Sequence, residues 1–243
     1  MVFYFLVKMT EGIILQKYIA ESGLCSRRKA EELIKSGKIF INHNIAFVGA
    51  RVKKGDRVEV LEGKKKKILM IVAKKRYIIF NKPAGLVCTK AVFKNEKNIF
   101  SVLPFEFSDL QIVGRLDKNS HGLVILTNDG DWANKMTHPR YEHEKEYIIK
   151  IKTKGTKIAV DKIFSSFFGG INIGDEDGIV RAKEIKEIKK GIFRIILTEG
   201  KKRQIRRMFK EIGLEVEDLK RVRVGKIELG DLKEGEWREI KVK

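Results

Sequence analysis

Gly114-Arg115-Leu116-Asp117-Lys118-Asn119-Ser120-His121-Gly122-Leu123-Val124-Ile125-Leu126-Thr127-Asn128-Asp129-Gly130 is the stretch on which the reading of this 243-residue chain turns. Ile112-Val113 before it and Leu123 to Thr127 within it have the apolar, partly β-branched composition of buried strands. Asn128-Asp129-Gly130 predicts a turn that closes the second strand. Between the strands lies Asp117, on a loop with glycine on each side at positions 114 and 122. An aspartate in such a loop either shapes the turn with its side chain or serves a site.

Working outward, Tyr77-Ile78-Ile79-Phe80 predicts a buried strand, ended by the sharp turn Asn81-Lys82-Pro83-Ala84-Gly85, with Leu86 to Thr89 resuming it. Glu144 to Ile151 alternates as a strand with Tyr147 on one face, and Phe193 to Leu197 predicts another. Glu199-Gly200 turns into residues 201–210, where Ile205, Met208 and Phe209 recur at helical spacing. Arg203, Arg206 and Arg207 then fall on or near that helix's exposed side. Leu219 to Gly225 reads as a basic strand. Strands at irregular spacing with few helices between them favour a mainly antiparallel mixed sheet with helices packed on it, an α+β domain over 77–243.

The front of the chain differs. Leu15, Tyr18 and Ile19 repeat at helical spacing up to Gly23. Ser26 stands as N-cap to a second helix from Arg27 that Gly37 ends. Strands over 38–41 and 57–60 come next, the latter after the Lys54-Gly55-Asp56 turn. Free N–H groups at the start of the second helix favour an anion, and two guanidiniums there can fork onto phosphate oxygens. Residues 63–76 hold seven basic and no acidic residues. Lys64 to Lys67 read equally as a solvated face or a phosphate contact, and the composition shift predicts a linker. The expected layout is a tail over 1–10, a small domain over 11–62, a linker over 63–76 and a larger domain over 77–243.

Composition narrows the function. Lys and Arg number 52 against 32 Asp and Glu, a net charge of +20, with a pI near 9.8. This asks for a polyanion, nucleic acid before an anionic membrane surface. Fourteen Phe and a 43% hydrophobic share exclude disorder along the whole chain. Cys25 and Cys88, far apart, exclude a disulfide scaffold. No apolar run approaches the roughly 18 residues of a membrane span. The first ten residues lack a basic start and a small-residue cleavage site, so a reducing cytoplasm is the expected home, and Met9 leaves open an added tail over residues 1–8. Of His43, His121, His138 and His143, none has a Cys partner nearby; His138 and His143 have a loose ligand spacing that reads as a loop with solvated histidines before a metal site.

LQKYIAESGLCSRRKAEELIKSGKIFINHNIAFVGARVKKGDRVEV, over nearly all of 13–60, resembles an S4-type RNA-binding domain. That resemblance implies phosphate contacts by Arg27, Arg28 and Lys29. NKPAGLVCT (81–89), GRLDKNSHGLVILTNDG (114–130), EKEY (144–147) and EGKKRQIRRMF (199–209), with the closing LKRVRVGKIELGDLKEGEWREI (219–240), together resemble the RsuA/RluB/RluE/RluF branch of RNA pseudouridine synthases, nearest the RluF and RluB types. The chain is thus identified with rRNA pseudouridine synthases, of the large subunit before the small subunit or a tRNA. A non-catalytic RNA-binding assembly factor on the same fold is the contrasting class.

The resemblance implies Asp117 as the catalytic carboxylate, Arg206 as the cation that keeps it ionised, and Tyr147 as the ring that stacks on uracil and assists proton removal from C5. The reaction breaks the N1–C1′ bond of a uridine, turns the base and rejoins it through C5. Nothing is lost, so no cofactor is called for. Asp117 either attacks C1′ or takes the C2′ proton; the sequence leaves both open. A uridine within a helix must be flipped out at a cost of about a few kcal/mol. Lys82, Arg115, Arg203 and Arg207 are the further expected RNA contacts. For Lys82 the alternative is a surface turn lysine, for Arg115 a structural ion pair. The partner is a structured ribosomal RNA stem-loop, with the protein a monomer needing no obligate protein partner.

Overall fold

Leu123, Ile125 and Ile79 point to one side of a sheet while Val124, Leu126, Ile78 and Phe80 point to the other, and both sides are buried. This two-sided burial is why the sequence shows continuous apolar runs rather than clean alternation. The computed structural model describes residues 12–71, 74–152 and 160–242. The chain divides into two units, Met1–Lys75 and Arg76–Lys243.

In the first unit, helix α1 (Leu15–Glu21) packs on helix α2 (Arg27–Lys35). Ser26 caps α2 as expected, its Oγ accepting from the Lys29 N–H at 3.3 Å. An antiparallel sheet of β1 (Ile39–Ile41), β2 (Asn44–Ile45), β3 (Val58–Glu62) and β4 (Lys65–Leu69) runs in the order β2-β1-β3-β4. Leu15, Ile19, Ala30, Ile34, Ile39 and Val58 form its core. Of the linker expected over 63–76, residues 65–69 form β4, and residues 72 and 73 lie outside the described residues. Lys65, Lys66 and Lys67 pair in register with Glu62, Leu61 and Val60, and the ammonium of Lys66 stands 3.5 Å from the Phe40 ring centroid. An edge strand exposes one row of backbone groups, and lysines there discourage another strand from pairing with it. Composition alone could not separate that device from a linker. The tail expected over 1–10 lies outside the described residues.

The second unit is built on one large sheet. Its strands are β5 (Tyr77–Lys82), β6 (Gln111–Val113), β7 (His121–Thr127), β8 (Lys145–Ile151), β9 (Glu184–Lys189), β10 (Ile192–Leu197), β11 (Val216–Val224), β12 (Ile227–Glu228) and β13 (Trp237–Glu239). The order is β9-β10-β8-β11-β7-β5-β13, with β6 against β7 and β12 against β11. Every pair is antiparallel except β11 and β7, which meet in parallel with Lys220 opposite His121 and Arg221 opposite Gly122. This confirms the mainly antiparallel mixed sheet of an α+β fold. Helices α4 (Val160–Gly169) and α5 (Gln204–Glu211) supply Ile163, Phe167, Ile205, Met208 and Phe209 to one face. Helix α3 (Gly130–Thr137) supplies Ala133 and Met136 to the other. Each fully buried large apolar side chain of this kind contributes about 2 kcal/mol by leaving water.

Two local expectations change. Asn128-Asp129-Gly130 ends β7 as expected but leads straight into a helix. The Asp129 carboxylate accepts from the Trp132 N–H at 3.1 Å and so caps α3. An Asx turn and an N-cap use the same side-chain chemistry, and only the conformation of the next few residues separates them. Leu86 to Thr89 does not resume a strand; it makes a single bridge, between Val87 and Asn98.

Candidate active site

The Asp117 loop leaves β6 at Gly114 and re-enters the sheet at β7. Within it the Ser120 N–H donates to the Asp117 carbonyl at 3.1 Å, closing a tight turn that leaves Asp117 half-buried. The Leu116 N–H donates to the Cys88 thiol sulfur at 3.4 Å, which pulls Leu116 down into the core. Burial pushes the Cys88 thiol pKa up, so it is held as a neutral thiol. Where the loop ends, Gly122 passes β11 at the parallel seam. A Cβ there would sit 2.2 Å from the Arg221 carbonyl oxygen, and φ is +101°. Only glycine lets the strands approach this closely.

The cations expected around Asp117 are present, in different roles. Lys82, expected to touch RNA or to lie on a surface turn, is fully buried. Its ammonium donates to the carbonyls of Pro83 at 2.8 Å and Lys118 at 3.3 Å, tying the 81–85 turn to the Asp117 loop. Burial pushes its pKa down, opposed by the charges of Asp117 and Glu234. Lys82 ends a strand whose Ile78, Ile79 and Phe80 are all buried, and a strand buried on both faces carries its last residue inward too.

Arg206, from the first turn of α5, donates from one nitrogen to the Asn119 carbonyl at 2.9 Å and from another to the Val216 carbonyl at 3.0 Å. It therefore grips the loop's backbone two residues beyond Asp117 rather than forking onto the carboxylate. Burial and the neighbouring Arg203 lower its pKa, and Asp117 and Asp218 oppose that shift. A guanidinium remains charged throughout.

The opposite wall comes from β8. Tyr147 is 8% exposed and stands in register with Arg221 across the β8–β11 pair. Two residues earlier, on the same face, Lys145 donates to the His143 carbonyl at 2.9 Å, and burial pushes its ammonium pKa down. Asp117, Tyr147, Lys145, Arg203, Arg206 and Arg221 all line one cleft of about 650 Å³. Lys145 is absent from the residues the sequence pointed to, although strand parity with Tyr147 is a signal that would have found it.

The remaining expected contacts separate. Arg115 is exposed on the cleft wall with no ion pair among the described residues. Arg203 is exposed just before α5 with a left-handed φ of +52°. Arg207 is not available as expected. It donates to Asp177 at 2.6 Å, to the Ile173 carbonyl at 2.9 Å and to the Gly174 carbonyl at 2.9 Å, and it holds Asp177 below the usual carboxylate range. Helical spacing put it near Arg206, but the 173–177 loop covers that side. In the first unit Arg27 and Arg28 are exposed at the start of α2, while Lys29 pairs with Glu32 at 2.7 Å. No cluster of three or more His, Cys, Asp or Glu among the described residues is arranged to hold a metal. No described helix is long and apolar enough to cross a membrane.

Comparison with known proteins shows the family. Residues 76–211 match the RNA pseudouridylate synthase family and residues 15–58 the S4 domain. The dual-specificity RNA pseudouridine synthase RluF of Escherichia coli K12 is 37% identical over 238 residues, covering 94% of this chain and 76% of that protein. The ribosomal large subunit pseudouridine synthase B of Buchnera aphidicola is 41% identical over 236 residues, covering 92% of this chain and 88% of that protein. A crystal structure of a pseudouridylate synthase superposes with a TM-score of 0.65 at 26% identity, covering 94% of this chain and 96% of that one.

Proposed function

The chain belongs to the RNA pseudouridylate synthase family, and from that membership we propose that it converts specific uridines of large-subunit ribosomal RNA to pseudouridine with Asp117 as the reacting carboxylate. The observation that carries the assignment is the position of Asp117. It stands on a hydrogen-bonded turn in a cleft that Lys145, Arg203, Arg206 and Arg221 also line. The wall around it is cationic, and either route at the ribose uses the ionised carboxylate. Lys82 and Arg206 hold the backbone just beyond Asp117, at the Lys118 and Asn119 carbonyls, and neither hydrogen-bonds its carboxylate.

In this reading a flipped uridine enters the cleft with its base against Tyr147 and its sugar toward Asp117. The N1–C1′ bond breaks, the base turns within the closed space, and C5 takes the bond that N1 gave up. The proton leaving C5 passes to solvent or a nearby base while N1 gains one, so atoms and charge balance without a cofactor. Arg115 and Arg203 on the cleft wall hold the flanking phosphates. Arg27, Arg28 and Lys29 grip the RNA through the first unit, the last once Glu32 releases it. The enzyme works in the cytoplasm as a monomer.

Asp117→Asn tests the assignment. The variant is expected to bind ribosomal RNA with unchanged affinity and to form no pseudouridine, read by chemical mapping of RNA treated with each protein. Product at the wild-type level would remove Asp117 from the chemistry. Mapping of ribosomal and transfer RNA in the same experiment identifies the target.

A further inference from the structure

The proposed reaction uses Asp117, Tyr147 and Arg206. It leaves unexplained a buried charge behind them. Arg221 lies on β11 at the seam where the sheet turns parallel, and it is 2% exposed. Its Nε donates to the Leu123 carbonyl at 2.8 Å. One terminal nitrogen donates to the Gly114 carbonyl at 2.8 Å and the other to the Arg115 carbonyl at 3.3 Å. These acceptors stand at the two ends of the Asp117 loop, where it leaves β6 and where it has just joined β7. No carboxylate pairs with this guanidinium among the described residues.

A buried cation served only by neutral carbonyls gives up hydration without recovering a full ion pair. An apolar side chain at this place would spare that cost but leave three backbone carbonyls without their donors. The planar guanidinium is suited to the task because its donors are set in a fixed fork. A lysine ammonium presents donors at one point and cannot span carbonyls on both sides of the loop. Gly122 contributes by letting β11 come close enough for the fork to reach: its strand neighbour is the backbone of Arg221 itself. Across the other side of β11, Tyr147 is in register with Arg221. One residue therefore sits between the loop that carries the carboxylate and the strand that carries the ring.

We propose that Arg221 is a positioning residue for the reaction, its buried guanidinium pinning both ends of the 114–122 loop and so fixing where the Asp117 carboxylate stands relative to Tyr147. The inference rests on the reading of Asp117 as the reacting group. Its consequence is specific. Loosening the pin displaces the carboxylate while leaving the RNA-binding surfaces intact, so the chemical step slows and binding does not.

The test uses the full chain, with Arg221→Lys, Arg221→Met and Asp117→Asn measured beside wild type. Single-turnover pseudouridine formation at saturating enzyme gives the chemical rate, and filter binding gives the RNA affinity. Arg221→Met is expected to react on the order of 100-fold more slowly, as a displacement of about 1 Å does in a preorganised site, with Kd unchanged. Arg221→Lys, which keeps the charge without the fork, is expected to fall between. Guanidinium ion at non-denaturing concentration is expected to raise the Arg221→Met rate by refilling the pin. Rates for both variants within about threefold of wild type would overturn the proposal, as would a loss that a higher enzyme concentration restores. Should Arg221→Met fail to fold, a folded Arg221→Lys at the wild-type rate overturns it alone. If Asp117→Asn reacts like wild type, the reading of the site falls and this inference with it. An inactive Asp117→Asn beside unimpaired Arg221 variants sinks this inference only.

Discussion

Gly122→Ala is the substitution whose consequence the structure constrains most tightly. The added Cβ would lie 2.2 Å from the Arg221 carbonyl oxygen, 2.8 Å from its nitrogen and 3.0 Å from its carbonyl carbon. All three are backbone atoms in mid-strand, so no side-chain rotation relieves the contact. Holding a non-glycine residue at φ +101° adds conformational strain of about 1–3 kcal/mol. The overlap adds about 1–3 kcal/mol more as β7 and β11 are forced apart. A total near 3 kcal/mol or above lowers the melting temperature by about 6–12 °C for a domain of this size. Gly213→Ala provides the control. Gly213 also has a positive φ, +79°, but nothing lies within 4 Å of its virtual Cβ, so it should lose only the strain, about 1 kcal/mol. Thermal and urea unfolding of the two variants, monitored by circular dichroism, separate the contributions. The Asp117 loop re-enters the sheet at Gly122, so this variant is also expected to lose pseudouridine formation in proportion to the disturbance of the seam. A Gly122→Ala melting temperature within about 2 °C of wild type, or a loss no larger than that of Gly213→Ala, would refute the reasoning.

Arg207→Ala should weaken stability by about 1–2 kcal/mol through the lost contacts to Asp177 and the 173–174 carbonyls, with no change in the salt dependence of RNA binding. Arg203→Ala should do the reverse, and a competition assay across salt concentrations distinguishes the two. Replacing Arg27 and Arg28 together by alanine should lower the slope of log K against log salt by about 1.4–1.8, two phosphate contacts' worth. An unchanged slope would remove α2 from the RNA interface.

Much of the second unit was legible because its strands carry their own signals. The runs at 77–80, 123–127 and 145–151 are apolar on both faces or aromatic and β-branched, so their existence could be read from composition. The segments between strands were less legible. Asp129 uses the same carboxylate chemistry to cap a helix as to form a turn, and α3 is hidden in the sequence because Gly130 opens it. α4 is hidden too, its Phe and Ile spread over a segment whose plainest signals are its turns. The lysine run at 64–67 has no apolar alternation of its own, since β4 takes its place by pairing with β3 at the sheet's edge.

The site divides in the same way. Asp117, Tyr147 and Arg206 were identified by their motifs, and the structure brings all three to one cleft. The roles of the basic residues were decided elsewhere. Lys82, Arg206, Arg207 and Arg221 are alike to a sequence reading, yet in the fold each donates to backbone carbonyls from distant parts of the chain, and Arg207 to a carboxylate as well. Arg221 had no assigned role until the register of β11 against β7 was known.

By itself the sequence determined the two-part organisation, the α+β class and the excess of positive charge, because composition, periodicity and turn chemistry act over a few residues, while Asp117 was singled out by the resemblance of its motif. Only the tertiary structure decided which basic residues are exposed and which are buried as struts beneath the Asp117 loop. That outcome depends on carbonyls supplied by strands and loops up to about a hundred residues away, as between Arg221 and Leu123. A basic side chain that satisfies such carbonyls is held where it is by hydrogen bonds it cannot find locally.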